Sequence, residues 1–266
     1  MQTKNKAFKS ILMGISTIAV IFILLPILRL LTYSSPSLIL NAMKDPSTIN
    51  AIVNSIVFSL VTAALAVILG IPLAYLMARK SFGRLEGVVE GVSDIPLAVP
   101  HTVAGIALLL IYGRDGTLGS LFYRTFGIKL TGTSIVVVIA MLFVSFPFFV
   151  DAAREGFRSV DEALENASRS LGASAFSTFL RINLPLSIQS ILAGFLSTWA
   201  RAISEFGAVV ILAYYPMTAP VKIYDAFTQY NLSVSIAIAA TLLLFSLAIF
   251  IGLKVLTRER NDNFKS

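Results

Sequence analysis

The sequence predicts an all-α, polytopic membrane protein of about six transmembrane helices, with a short cytoplasmic helix between spans four and five. Three observations carry that reading. Of 266 residues, 56% are hydrophobic and 13% charged, against roughly 25% charged in a soluble domain. The apolar residues gather into runs of about 20, the length that crosses a hydrocarbon layer of ~30 Å at ~1.5 Å per residue. Basic residues flank these runs, unequally on the two sides, as membrane orientation requires.

The first run, 11–31, follows Lys4, Lys6 and Lys9. It exceeds the apolar core of a signal peptide, about 7–15 residues, and lacks a small-x-small cleavage site before Pro36, so it reads as an anchor. Residues 33–50 (YSSPSLILNAMKDPSTIN) read as a turn-rich connection with an interfacial proline at each end. The second span, 51–78, ends at Arg79, Lys80 and Arg84, which mark a cytoplasmic loop. The third, 95–112, carries Pro96, Pro100, His101 and Gly105 in its first half, where a helix kinks or breaks. Residues 113–132 form a glycine-rich outer loop before the fourth span, 133–150. The fifth span, 186–213, contains Arg201 and Glu205; 214–231 returns outside, and a sixth span, 232–256, ends in a charged tail.

With both termini in the cytoplasm, the inner segments hold fourteen basic residues: Lys4, Lys6, Lys9, Arg79, Lys80, Arg84, Arg154, Arg158, Arg169, Arg181, Lys254, Arg258, Arg260 and Lys265. The outer side holds about six: Arg29, Lys44, Arg114, Arg124, Lys129 and Lys222. The net charge of +7 is thus distributed as membrane orientation demands, and no nucleic-acid partner is expected. The chain has no cysteine, which excludes disulfides and thiolate chemistry, and its one histidine leaves little for a zinc site. No phosphate-binding G-x4-G-K-[ST] loop, H-E-x-x-H or G-x-S-x-G motif occurs, so neither nucleotide hydrolysis nor a familiar membrane hydrolase is expected of this chain itself, and no cofactor. Energy must come from a partner or a gradient. With no internal repeat or low-complexity linker, residues 1–266 read as one membrane domain with a polar loop at 159–185.

That loop, SVDEALENASRSLGASAFSTFLRINLP, is a polar island between apolar runs. Ser159 and Glu162 have capping-box spacing, and Gly172 can supply a left-handed stop. Ala163, Leu164, Ala167 and Leu171 share one face of the helix so defined; Asp161, Glu162, Glu165, Asn166 and Arg169 occupy the rest. Acids at the start and Arg169 at the end also suit the helix dipole whatever the function. The loop has no core of its own, so this helix suits close approach by another protein. Downstream, Gly172, Ile182, Leu184 and Pro185 spell G-x9-I-x-L-P. This resembles the signature loop of permease subunits of ABC importers, E-A-A-x3-G-x9-I-x-L-P. Asn166, Ala167 and Ser168 fall on its triplet; two of the three depart, and Glu165 stands one residue before the acid's place. The resemblance implies a coupling helix docked in an ATP-hydrolysing partner through Glu162, Glu165, Asn166, Ala167, Ser168, Arg169, Gly172 and Ala173.

Arg201 lies about 21 Å into the fifth span, with Glu205 one turn further on the same face. Charges at that depth cost a few kcal/mol or more and face a partner or a cavity. The two therefore form a structural pair or line a substrate path. Ser197, Thr198 and Ser204 are either polar lining or small packing residues. Pro100, His101 and Thr102 mark either a kinked helix or an interrupted one whose free amides face a passing anion.

Over most of 50–227 the chain is similar to permeases for molybdate, tungstate and sulfate, through PLAVPHTVAG, GRDGTLG, FPFFVDAAREGFRSVD and RAISEFGAVVILA. YYPMTAPVKIY is most similar to the molybdate/tungstate branch. The resemblance implies a second copy of this chain, two ATP-binding subunits and an external oxyanion-binding protein, in the cell membrane. The expected function is ATP-driven uptake of molybdate or tungstate. The alternatives are a sulfate/thiosulfate permease of the same type and, from a different class, a secondary transporter driven by an ion gradient.

Overall fold

The computed structural model describes residues 2–229 and 232–262, with side chains for 8–229 and 232–252. The side chains of Lys4, Lys6, Lys254, Arg258 and Arg260, and all of Asn231 and Lys265, lie outside the described residues. The expected placing of both termini leans on several of them. Among the described residues every regular element is helical.

α1 (Gln2–Tyr33) is followed by α2 (Pro36–Lys44) and α3 (Pro46–Ala78). The expected turn-rich connection is thus mostly helical, and each of its two prolines opens a helix. Each proline occupies a first-turn position, where its missing N–H is not needed, behind an oxygen cap. Ser35 accepts from the Leu38 amide at 3.4 Å and Asp45 from the Thr48 amide at 2.9 Å.

α4 (Glu86–Ala98) and α5 (His101–Tyr112) are the halves of the interrupted third span. Val99, forced into extended backbone by the following Pro100 (φ −82°, ψ 126°), separates them. The chain turns by 112° between 83–98 and 101–126. The outer loop expected at 113–132 contains α6 (Thr117–Phe126), and α7 (Ser134–Arg158) runs further than the fourth span predicts. α8 (Glu162–Ser170), α9 (Ala175–Thr178), a π-helical turn at Phe179–Asn183 and α10 (Leu184–Leu186) make up the polar loop and lead into α11 (Ile188–Ile203), with a 68° bend. The expected continuous fifth span is broken at 204–206, and α12 (Gly207–Leu212) completes it. α13 (Ala219–Gln229) occupies the expected final outer loop before α14 (Leu232–Asp262). Among the described residues four helices are long and apolar enough to cross a membrane, and the number is six if each of the two bent pairs is one span.

The centre is a three-helix packing of α3, α7 and α11. Lipid tails are as apolar as leucine, so burial drives helix association weakly, and small residues that admit close contact take over. A Cβ on Gly156 of α7 would stand 2.4 Å from the Ser190 Cβ of α11, and one on Gly70 of α3 would stand 2.4 Å from the Phe149 ring of α7. Phe149, Phe157, Met77 and Trp199 fill the remaining space and are fully buried. α5 and α12 pack on the other end of α7, with Ala104, Leu108, Val209 and Leu212 in that core. α1 stands apart, touching mainly α14, and the part of it suited to span the membrane buries nothing within this chain.

Gly156→Val should therefore drive α7 and α11 apart, at a cost of about 1–3 kcal/mol. The expected result is a lowered melting temperature of the detergent-solubilised protein by fluorescence-detected chromatography. Gly252→Val, where a Cβ meets nothing within 4 Å, is the comparison and should melt as the parent does.

Candidate functional site

Two constellations stand out, one in the polar loop and one where the two interrupted spans meet. In the loop, Asp161 rather than Ser159 caps α8, accepting from the Ala163 amide at 2.8 Å. Ser159 ends α7 and donates to the Gly156 carbonyl at 2.7 Å, so the expected capping box does not form. α7 continues to Arg158, which leaves Ser159 in helical backbone where it cannot start a new helix. The stop at Gly172 is as expected, with φ +85°.

Glu165, on the expected polar face, is buried, whereas Leu164, Leu171 and Phe176 are exposed, Leu171 by 89%. Glu165 is buried because Arg79, at the end of α3, reaches it. Arg79 Nε donates to Glu165 Oε1 at 2.7 Å, and Nη2 donates to the Val160 carbonyl and to Asn183 Oδ1, each at 3.2 Å. The Tyr75 hydroxyl donates to Glu165 Oε2 at 3.4 Å, and its ring packs edge-on against Phe157 and Phe179. One guanidinium fork thus ties the span end to the start, middle and end of the loop. Ser168 and Thr178 share a hydroxyl contact at 3.0 Å that folds α8 onto α9. Glu162, Asn166, Ala167, Arg169 and Gly172 remain exposed, and Ala173 is half-buried. Arg79 was read from the sequence only as an orientation charge. Its position as the first residue after the span, opposite an acid displaced by one from the triplet, was the available signal.

The second constellation joins the breaks. His101 opens α5, Arg201 lies in the last turn of α11, and Glu205 sits in the break before α12. Arg201 Nη2 donates to Glu205 Oε2 at 2.8 Å and lies 2.8 Å from both ring nitrogens of His101. His101 Nδ1 is 3.2 Å from Glu205 Oε2. The ring thus lies within hydrogen-bonding distance of both the guanidinium and the carboxylate. Glu205 Oε1 accepts from the Ala208 amide at 2.9 Å and so caps α12. The fully buried carboxylate is satisfied on both oxygens, as a charge removed from water must be. The approach is close because Gly207 has no side chain: a Cβ there would lie 2.8 Å from the His101 Cβ.

Arg201 and Glu205 are therefore paired, and His101, 100 residues away in sequence, completes the set. Ser204 accepts from Arg201 Nη1 at 3.4 Å and is exposed. Pro100 precedes α5 as its cap residue, with no side-chain hydrogen bond, and Thr102 is exposed beside it. Ser197 is exposed and takes no part in the triad, and the Thr198 hydroxyl is buried without a partner among the described residues. Sequence reading missed the break at 204–206, because 201–213 is apolar apart from the charges; the acid two residues before a glycine was the available sign. A further ion pair, Arg154 to Glu90 at 2.6 Å, fastens α4 to α7.

A helical membrane domain with two interrupted spans that meet where His101 and Arg201 hold a buried Glu205, and with an amphipathic helix carried between spans, has the architecture of a transport permease. The chain belongs to the family described as binding-protein-dependent transport system inner membrane component, whose model matches residues 70–261. It is 40% identical over 249 residues, 94% of its length and 95% of the relative's, to the molybdate/tungstate transport system permease protein WtpB of Thermococcus kodakarensis. To the protein of the same name from Methanocaldococcus jannaschii it is 40% identical, with 90% of this chain and 93% of that one covered. A probable sulfate transport system permease protein, cysT, of Chlorokybus atmophyticus is 32% identical over 87% of this chain and 82% of its own length. Among solved structures, a bacterial ABC transporter involved in import of the acidic polysaccharide alginate matches with a TM-score of 0.71 at 16% identity, covering 97% of this chain and 96% of that chain. At that identity the match speaks to the fold alone.

Removing Arg79 takes away the close partner of the buried Glu165 carboxylate and leaves it the Tyr75 hydroxyl and the more distant Arg169, 3.9 Å from Oε2, which is destabilising, whereas removing both charges is milder. Arg79→Gln should raise amide hydrogen exchange in α8 by more than about tenfold. Arg79→Gln with Glu165→Gln should recover much of the protection; equal exchange in the single and double variants would show that the pair does not hold the loop.

Proposed function

We propose that the chain is the membrane-spanning subunit of an ATP-driven importer that takes molybdate or tungstate into the cell. The observation that carries this reading is the full-length similarity to molybdate/tungstate permeases at 40% identity. The sulfate relative is less similar, and sulfate is not favoured. The triad fits the assignment: Arg201 and the uncapped start of α5, with His101 and Thr102 exposed, offer positive potential at membrane depth to an oxyanion.

In this reading ATP is hydrolysed by a separate subunit that docks on α8, and two copies of this chain stand over two such subunits. Exposed Leu164, Leu171 and Phe176 supply the apolar contact, Gly172 the close approach, and the bonds of Arg79 the rigid attachment through which a push on α8 reaches α3. Glu162, Asn166 and Arg169 lie at the rim of that contact. An external binding protein delivers the anion at the opposite face. Both termini are cytoplasmic, so that α8 lies in the cytoplasm and α6 outside.

The orientation is tested by cysteine labelling, which suits a chain with no cysteine of its own. A cysteine introduced at Ser174 should react only from the cytoplasm and one at Thr117 only from outside; the reverse would remove the docking role of α8. Substrate is tested by uptake into proteoliposomes holding the whole complex. Molybdate and tungstate should compete with each other, and sulfate weakly. Arg201→Gln should cut uptake by more than about tenfold, and adding Glu205→Gln should not restore it. Full recovery in the double variant would mean that the pair serves only to hold the helices.

A further inference from the structure

The carboxylate of Glu205 poses a problem for an anion path. A guanidinium that must attract a doubly charged oxyanion is already neutralised by a resident anion 2.8 Å away. The two oxygens of Glu205 are not equivalent. Oε1 is fixed to the backbone by the Ala208 amide at 2.9 Å, while Oε2 is shared between Arg201 Nη2 at 2.8 Å and His101 Nδ1 at 3.2 Å. The pairing with Arg201 uses one edge of the fork. The other edge, Nη1, faces the exposed hydroxyl of Ser204 at 3.4 Å, and the Arg201 side chain is 19% exposed. An arriving oxyanion can therefore take Nη1 without first breaking the ion pair, because a guanidinium offers two separate edges to acceptors.

We propose that Glu205 is a built-in competitor of the transported oxyanion: it holds Arg201 between transport events and shares the guanidinium during passage, so that the anion is attracted but not retained. This rests on the reading of the chain as an oxyanion permease. The reason is electrostatic. At low dielectric a lone cation binds a dianion strongly enough to stop it, and a fixed counter-charge within 3 Å weakens that grip in proportion to its own field. Conduction of any ion needs sites attractive enough to enter and weak enough to leave. The Ala208 amide at Oε1 and His101 at Oε2 keep Glu205 in place on Nη2 while Arg201 offers Nη1 to the anion.

The test uses the complete complex with its ATPase. In lipid nanodiscs, without the external binding protein, equilibrium binding of radiolabelled tungstate is measured; in proteoliposomes with the binding protein, uptake is measured. Glu205→Gln keeps an oxygen for the Ala208 amide but removes the charge. It should bind tungstate more than about tenfold more tightly while importing it more slowly. Ser204→Asp adds a second resident anion beside Nη1, on an exposed residue, and should bind tungstate more than about tenfold more weakly than Ser204→Asn. Unchanged affinity in Glu205→Gln, or Ser204→Asp matching Ser204→Asn, overturns the proposal. Should Glu205→Gln fail to assemble, the Ser204 pair alone decides. A parent complex that imports sulfate and neither molybdate nor tungstate would contradict the substrate assignment, and the same variants with radiolabelled sulfate then decide the role of Glu205.

Discussion

The structure depends on the cost of burying a carboxylate away from water. Glu205 is fully buried, and an ionised group there persists only if each oxygen has a strong partner. That demand fixes three elements at once. The Ala208 amide must be free, which requires α12 to start afresh rather than continue α11. Arg201 must lie one turn earlier, and the start of α5 must come close enough for His101 to reach. Both interruptions are thus parts of one arrangement, with irregular backbone satisfied inside protein as the bilayer requires.

The same logic in a wetter setting attaches the polar loop. Glu165 and Arg79 are nearly buried, and their bonds reach Val160, Asn183 and Tyr75, so that α8 is held through a charged network instead of its apolar side chains. Those apolar side chains stay outward. α8 is thus fastened by its polar face, with Leu164 left exposed. Between the two constellations run α3, α7 and α11, packed closely through Gly70, Gly156 and Gly194.

Much of this was legible in the sequence, for reasons that differ from one segment to the next. The four unbroken spans follow from hydropathy, since the bilayer selects length and apolarity with few alternatives. The break before His101 follows from Pro96 and Pro100, which lack donors. The segments holding α2, α6 and α13 were read as connections because glycine, proline and polar residues dominate them. Short interfacial helices have that same composition, and only their caps distinguish them.

The sequence by itself determined the membrane class, the left-handed stop at Gly172 and the presence of Arg201 and Glu205 one turn apart, since each is a property of a local stretch and its solvent. Tertiary structure alone decided which groups meet. That His101 completes the Arg201 and Glu205 pair, that Arg79 buries Glu165, and that α11 ends at Ile203 are consequences of segments up to 100 residues apart brought within hydrogen-bonding distance. No local preference encodes them: a buried charge specifies that a partner must exist, and the packing of distant helices specifies which one it is.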